Sequence, residues 1–266
     1  MSYFKDKVIW ITGASSGIGE ALTYKLSGEG ASLILSSRRP EELERVKKGC
    51  VNQGLVRILP LDLAETATLE EKTKAAVALF GHIDIMVHNG GISQRSLVAD
   101  TQLDVHRRVM EVDYFSYVAL THRLLPYFLE RRSGHFVVVS SVMGKLGTPM
   151  RSSYAAAKHA LHGFFDCLRA EVAAVNIQVT VLTPGYIRTN VSVNAVTADG
   201  SRLGTVSQNI DHGLAPDKAA DQILRAIAAR KKETYIGKFS LERISLWLQR
   251  FFPGIVFKLA PKFAPK

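Results

Sequence analysis

The sequence predicts an α/β protein: a doubly wound parallel sheet of seven strands with helices on both faces. Two observations predict it. Short apolar runs of strand length alternate with helical patterns along most of the 266 residues, and alternation of this kind builds a parallel sheet covered on both sides. A glycine-rich loop also joins the first strand to the first helix, as in folds whose right-handed crossovers place ligands at the carboxyl ends of the strands.

Val8-Ile9-Trp10-Ile11 sets a strand over 7–11, and the loop after it opens a helix over 17–28. A strand over 32–36 leads to a helix over 40–49 that Pro40 begins. Strands over 56–59 and 83–87 flank a helix over 67–79, and a long helical pattern covers 101–131. Phe136-Val137-Val138-Val139 marks a strand over 135–140, followed by a helix over 153–174. A strand over 177–182 ends near Pro184-Gly185, Pro216 begins a helix over 216–230, and a short strand over 234–236 completes the set. Turn residues or prolines bound each helix. Residues 190–215 fit neither period and are rich in Ser, Asn, Asp and Gly, which predicts a substrate lid beside the site. One domain over 1–237 and a basic amphipathic extension over 238–266 result.

Apolar residues make up 47% and charged residues 22%, the balance of a soluble globular protein. No uninterrupted apolar run reaches 18 residues, and Val8 follows the start too closely for a secretory signal. Cys50 and Cys167 form no disulfide framework or metal-ligand spacing, which suits a reducing cytoplasm. Cys167 stands among Phe164, Phe165 and Leu168, as a small core residue would. The eight histidines show no metal-binding pair on a helix, so no metal is expected. Residues 225–266 hold ten Lys or Arg against two acids, so the excess of charge gathers in the tail. A local anionic partner or surface suits that distribution better than a nucleic acid does.

The loop reads Thr12-Gly13-Ala14-Ser15-Ser16-Gly17-Ile18-Gly19. Gly13 permits a tight turn, Gly17 lets backbone approach a pyrophosphate, and Gly19 lets the helix pack closely on the strand. The helix N–H groups and positive dipole end then face the phosphates, as in a Rossmann-type site. About twenty residues after Gly17, where NAD enzymes carry an acid for the ribose, the chain reads Ser36-Ser37-Arg38-Arg39. Arg38 suits the extra phosphate of NADP, and Arg39 is expected to face solvent.

Tyr154 and Lys158 stand four apart in a helical run, with Ser141 at the end of the preceding strand. Residues four apart share a helix face. Tyr3 and Lys7 show the same spacing without that context. A free tyrosine titrates near pH 10, so activity near neutrality needs roughly 4 kcal/mol of preferential phenolate stabilisation. The positive Lys158 has the right sign.

Together the loop, Asn89-Gly90-Gly91, Ser141, Tyr154, Lys158 and Pro184-Gly185 resemble the short-chain dehydrogenase/reductase family over residues 5–237. The stretch 154–200, with Phe-Phe-Asp-Cys-Leu-Arg-Ala-Glu and Pro-Gly-Tyr-Ile-Arg-Thr-Asn, is similar to one branch of it. The resemblance implies Tyr154 as acid/base, Lys158 as its activator and ribose anchor, and Ser141 as the hydrogen bond to the substrate oxygen, with Ser140 structural. It places Asp62 and Leu63 near the adenine, Asn89 and Gly90 near the neighbouring ribose, and Pro184, Gly185, Ile187 and Thr189 near the nicotinamide. It also implies a nicotinamide dinucleotide, which Arg38 narrows to NADP(H), and a homo-oligomer. One position departs: Asp113 replaces a family asparagine that helps hold a helix kink and a water relay to the lysine, and Ser116 replaces the next glycine.

The resulting expectation is an NADP-dependent oxidoreductase acting between carbonyl and alcohol. Ile92, Met143, Leu146, Met150, Tyr186 and Val191 suggest an apolar substrate such as a lipid, steroid, retinoid or aromatic carbonyl. The alternative, motivated by Asp113, is a dinucleotide-binding sensor or scaffold with weak turnover. In the tail, Leu241, Ile244, Leu248, Phe251 and Phe252 form one helical stripe with Trp247 at its edge. Such a stripe packs over the pocket or a subunit, or lies on an anionic membrane.

Overall fold

The computed structural model describes residues 2–205 and 212–263, so residues 206–211 of the expected lid lie outside the described residues. Seven parallel strands form one sheet: β1 (Val8–Thr12), β2 (Ser32–Ser36), β3 (Val56–Ile58), β4 (Ile85–His88), β5 (Gly134–Val139), β6 (Ile177–Pro184) and β7 (Glu233–Ile236). Their order is β3-β2-β1-β4-β5-β6-β7. Every residue of β1, β4 and β5 is buried, as strands covered on both faces require; their near-continuous apolar runs are the sequence signature of that burial. The order reverses between β1 and β4, which leaves a crevice at their carboxyl ends.

The helices are α1 (Gly17–Gly28), α2 (Pro40–Lys48), α3 (Leu69–Phe80), α4 (Leu103–Met110), α5 (Ser116–Arg131), α6 (Ser152–Glu171), α7 (Pro216–Ala228), α8 (Leu241–Phe251) and α9 (Pro253–Leu259). Leu22 and Leu26 of α1 and Ile223 and Ile227 of α7 cover one sheet face with Ile9, Ile11 and Leu35. Leu120, Leu124 and Phe128 of α5 and Leu161 and Phe165 of α6 cover the other with Trp10, Met86 and Val138.

Three expectations need correction. The helical pattern over 101–131 is broken by a π turn, Glu111–Phe115, between α4 and α5; π turns recur at functional sites. Cys167 is exposed, because a position two residues past buried Phe165 is rotated about 200° around the helix from it. Residues 190–205 are not structureless. The Val196 N–H donates to Ser93 O at 2.8 Å and Arg95 N–H to Val196 O at 2.8 Å, which fastens this segment to the loop after β4.

The extension folds as α8 and α9, with Val256 buried and most of its apolar side chains exposed. Phe239, Leu241, Trp247, Phe251 and Phe257 are each more than half exposed. Trp247 meets Phe251 and Phe252 with ring centroids 5.4 and 5.6 Å apart. No helix among the described residues is long and apolar enough to cross a membrane.

Candidate active site

The carboxyl ends of β1 and β4 are tied together by side chains that the loop itself supplies. Thr12 Oγ1 accepts the Asn89 N–H at 3.1 Å and the Gly90 N–H at 3.2 Å. The Asn89 amide donates to Thr12 O at 3.0 Å and Gly13 O at 3.2 Å. Asn89 therefore spends its donors on the loop, beside any contact its oxygen makes with a ribose. Gly13 sits at φ +65°, and an added Cβ would lie 2.6 Å from Gly90 Cα, so only glycine fits that turn. A Cβ at Gly19 would collide with the Gly13 carbonyl, which gives Gly19 its close-packing role. Ser15, Ser16, Gly17 and Ile18 then line a cavity at the start of α1, where unpaired N–H groups and the helix dipole favour phosphate. Sequence reading missed Arg45 of α2, which pairs with Glu20 at 2.7 Å and donates to Ser15 O at 3.1 Å, bracing the loop from outside.

At the far end of the cavity Ser36 is consumed internally. Its hydroxyl accepts from Trp10 Nε1 at 2.9 Å and donates to Leu59 O at 2.7 Å. Arg38 and Arg39 both stand exposed at the cavity mouth, so Arg39 faces solvent as expected yet also lines the site. Neither forms an ion pair with a described carboxylate. Asp62 and Leu63 line the same end, and Asp62 Oδ1 accepts the Ala64 N–H at 3.0 Å.

The opposite end gathers Ser141, Tyr154, Lys158 and Asp113. Ser141 is extended, and its Oγ accepts the Met143 N–H at 3.2 Å, so the hydroxyl proton is left to aim outward. Ser140 points inward and bonds Lys158 O at 3.2 Å and His162 Nε2 at 3.1 Å, a structural use as expected. Lys158 Nζ lies 5.6 Å from the centre of the half-buried Tyr154 ring.

Asp113 is fully buried in the π turn. Its Oδ1 accepts the Ile92 N–H at 2.7 Å, and its Oδ2 stands 3.1 Å from Lys158 Nζ. Burial alone would pull the Lys158 ammonium toward losing its proton, but the Asp113 carboxylate reverses this and holds it above the usual lysine range. Burial pushes the Asp113 carboxyl up, and Lys158 and the Ile92 N–H oppose that push. The hydroxyl of Ser116 turns back to Val112 O at 2.7 Å, so the residue that replaces the family glycine fits without a free polar group.

These ends belong to one cavity of about 370 Å³. Pro184, Gly185, Ile187 and Thr189 form its floor after β6, and Asn190, Val191 and Asn194 border it. Every sequence-predicted site residue lines it except Gly19. Of the apolar positions named above, Ile92, Met143, Tyr186 and Val191 line the cavity. Leu146 is turned into the core, and Met150 is held off at φ +63°. Sequence reading missed Ser93, Arg108, Thr148 and Arg151 among the lining residues. The glycine turn, the crowded Gly17 and the open helix start fit a dinucleotide along the cavity.

The short chain dehydrogenase family model matches residues 7–200. Dehydrogenase/reductase SDR family member 7B of Mus musculus is 39% identical over 270 residues, covering 100% of this chain and 83% of that protein. Dehydrogenase/reductase SDR family protein 7-like of Drosophila melanogaster is 43% identical, covering 98% of this chain and 81% of that one. These relatives carry the branch read from residues 154–200. Among solved structures, a short-chain dehydrogenase from Streptomyces avermitilis superposes with a TM-score of 0.82 at 28% identity, over 97% of this chain and 96% of that one. A short chain dehydrogenase/reductase from Burkholderia phymatum, in complex with NAD, gives 0.84 at 21% identity, over 96% of both chains, and supports the fold.

Proposed function

We infer the function from one premise: the chain belongs to the short-chain dehydrogenase family. It is an NADP-dependent oxidoreductase that interconverts a carbonyl and an alcohol on a small, largely apolar substrate. The convergence of Ser141, Tyr154 and Lys158 on a cavity that continues to a helix N-terminus carries this conclusion. A nicotinamide dinucleotide bound along that cavity supplies or accepts the hydride. The Tyr154 hydroxyl gives its proton to the substrate oxygen in reduction and takes one in oxidation. Ser141, with its oxygen already accepting the Met143 N–H, donates to the same substrate oxygen. The Lys158 ammonium favours the phenolate by its charge and sign. Ile92, Met143, Tyr186 and Val191 supply the apolar wall, and the segment that borders it at Asn190, Val191 and Asn194 covers the bound substrate.

NADP is preferred because Arg38 lines the cavity mouth with no acidic partner among the described residues, which suits the extra phosphate of NADP. Arg38→Ala is expected to weaken NADP binding about ten- to a hundredfold, the range of lost charge-assisted hydrogen bonds, and to leave NAD nearly unchanged. Isothermal titration of both cofactors checks it; equal dissociation constants in the unmodified protein would refute the preference.

A second reading rests on Asp113. A carboxylate 3.1 Å from the lysine neutralises much of the charge that assists the tyrosine, which favours a sensor or scaffold with weak turnover. Turnover that depends on Tyr154 separates the two.

The extension has its own proposal. None of its described residues lines the cavity, and its aromatic face is open beside Lys238, Arg243, Arg250 and Lys258. It lies on an anionic membrane surface, where each basic residue contributes roughly 1 kcal/mol. Liposome sedimentation is expected to rise with anionic lipid, fall with salt, and vanish in Trp247→Asp/Phe251→Asp and when 240–266 are deleted. Absence of sedimentation at low salt, together with a dimer that the same double variant dissociates, would assign this face to homo-oligomer formation instead.

A further inference from the structure

Two arginines lie together beside the reacting end of the cavity, and neither has an acidic partner among the described residues. Arg151, the residue before α6, lines the cavity and donates to the hydroxyl of fully buried Ser93. Arg95, two residues after Ser93, is only 8% exposed, and its Nε and Nη2 are buried without a hydrogen-bond partner. Both side chains neighbour Tyr186, Arg95 neighbours Arg151, and Arg151 neighbours Tyr154. Burial and the neighbouring Arg151 lower Arg95 to about 10, which still leaves it charged at neutral pH, and burial lowers Arg151 as well. Buried cations without a counter-charge are costly, and two that repel each other more so. An arrangement of this kind is stabilised when an anion completes it, and the planar fork of arginine suits the paired oxygens of a carboxylate or phosphate.

The other charges at this cavity do not supply that anion. Asp113 is committed to Lys158, and Asp62 stands at the far, adenine-side end with Arg38 and Arg39. Exposed Arg108 adds a further positive charge to the lining. The pair is fixed by structure rather than by a mobile side chain. The Arg95 N–H is bonded to Val196 O and the Ser93 carbonyl accepts the Val196 N–H, while Arg151 is tied to the same loop through the Ser93 hydroxyl and the Ser96 N–H bond to Met150 O at 3.3 Å. The positions border Tyr186 and Tyr154, on the side where a substrate's own remote group would extend.

We propose that Arg151, backed by Arg95, forms an anion subsite, so that the substrate is a carbonyl or alcohol compound whose apolar body ends in a carboxylate or a phosphate monoester. This rests on the oxidoreductase reading and narrows it: the apolar wall positions the body, and the arginine pair sets how far the reacting carbon lies from the charged end. Ketones without that group bind without register.

The test uses two independent measurements on the full-length protein saturated with NADP, so that the dinucleotide phosphates cannot compete for the same groups. In the first, thermal stability is followed against inorganic phosphate and against a simple aliphatic carboxylate such as hexanoate. The unmodified protein is expected to be stabilised by at least one of them, saturably and beyond the effect of equal ionic strength of chloride. Arg151→Gln and Arg95→Gln each abolish that stabilisation, and Arg151→Lys restores part of it. In the second, ketones of one chain length are compared as the free acid, its methyl ester and the corresponding phosphate monoester. The anionic members are expected to show kcat/KM about ten- to a hundredfold above the ester, the span of one or two charge-assisted hydrogen bonds. In Arg151→Gln that ratio falls to about one. The phosphate and carboxylate arms identify which anion the subsite fits. Saturable stabilisation lost in both variants supports the subsite even if no ketone is turned over, in which case only the oxidoreductase reading fails. Tyr154-dependent turnover with equal kcat/KM for acid, phosphate and ester, and no stabilisation beyond chloride, overturns the subsite and leaves the oxidoreductase standing.

Discussion

Tyr154→Phe is expected to lower turnover at least about a hundredfold, the scale of general acid–base catalysis, while folding and NADPH binding remain close to those of the parent. The ring stays half-buried on α6 in either variant, and its hydroxyl makes no hydrogen bond within the described protein. The substitution therefore removes a proton donor without unpairing a buried group. Lys158 keeps its partner Asp113 at 3.1 Å and its contact with Val139 O at 3.4 Å, so the lysine is not released. Single-turnover oxidation of NADPH with a panel of apolar and anion-bearing ketones, beside cofactor binding followed by fluorescence, separates chemistry from assembly. Parent-rate turnover in a variant that binds NADPH normally would sink the assignment. If the parent itself turns over nothing on a broad panel while binding NADPH, the sensor or scaffold becomes the better account.

Much of this site could be read from the chain before any fold was known. The catalytic pair and the glycine loop are local patterns: four residues on one helix face, and glycines at a strand-to-helix turn. The inner strands were legible because burial on both faces writes them as continuous apolar runs, and β4 runs Ile85–His88 against an expected span of 83–87. What the sequence concealed depends on residues far apart. No composition signal marks the π turn at Glu111–Phe115, and only the resemblance, which implied a helix kink at Asp113, pointed to it. Cys167 was misread because apolar neighbours in sequence are not neighbours in space on a helix. Arg95 and Arg151 lie more than fifty residues apart, and only the bonds from Arg151 to the Ser93 hydroxyl and from the Ser96 N–H to Met150 O bring them to one wall. The same limit hid Arg45, whose contact with Ser15 O crosses from α2 to the β1–α1 loop.

Asp113 is the residue at which sequence and structure most sharply raise a chemical question. An asparagine would keep the hydrogen bond that Oδ1 accepts from Ile92 and would lack the charge. With the carboxylate present, Lys158 is held protonated above the ordinary lysine range, yet the field that its ammonium offers to a neighbouring phenolate is largely cancelled. Removing the carboxylate has two effects of known sign: the lysine holds its proton less tightly, and the charge that remains on it acts on the tyrosine uncompensated. Asp113→Asn is therefore expected to retain or raise turnover near neutrality and to move the rising limb of the alcohol-oxidation pH profile to lower pH, by about one unit for each 1.4 kcal/mol of field restored. Asp113→Leu differs in kind. It leaves the Ile92 N–H unpaired and Lys158 buried at 4% exposure without a counter-charge, and is expected to cost about 3–5 kcal/mol of stability. Urea unfolding measures the second effect and pH–rate profiles the first, so a structural role and an electrostatic one give different signatures. An Asp113→Asn protein that folds, binds NADPH and loses most of its turnover with no shift in profile would show that the carboxylate takes a direct part in the proton path.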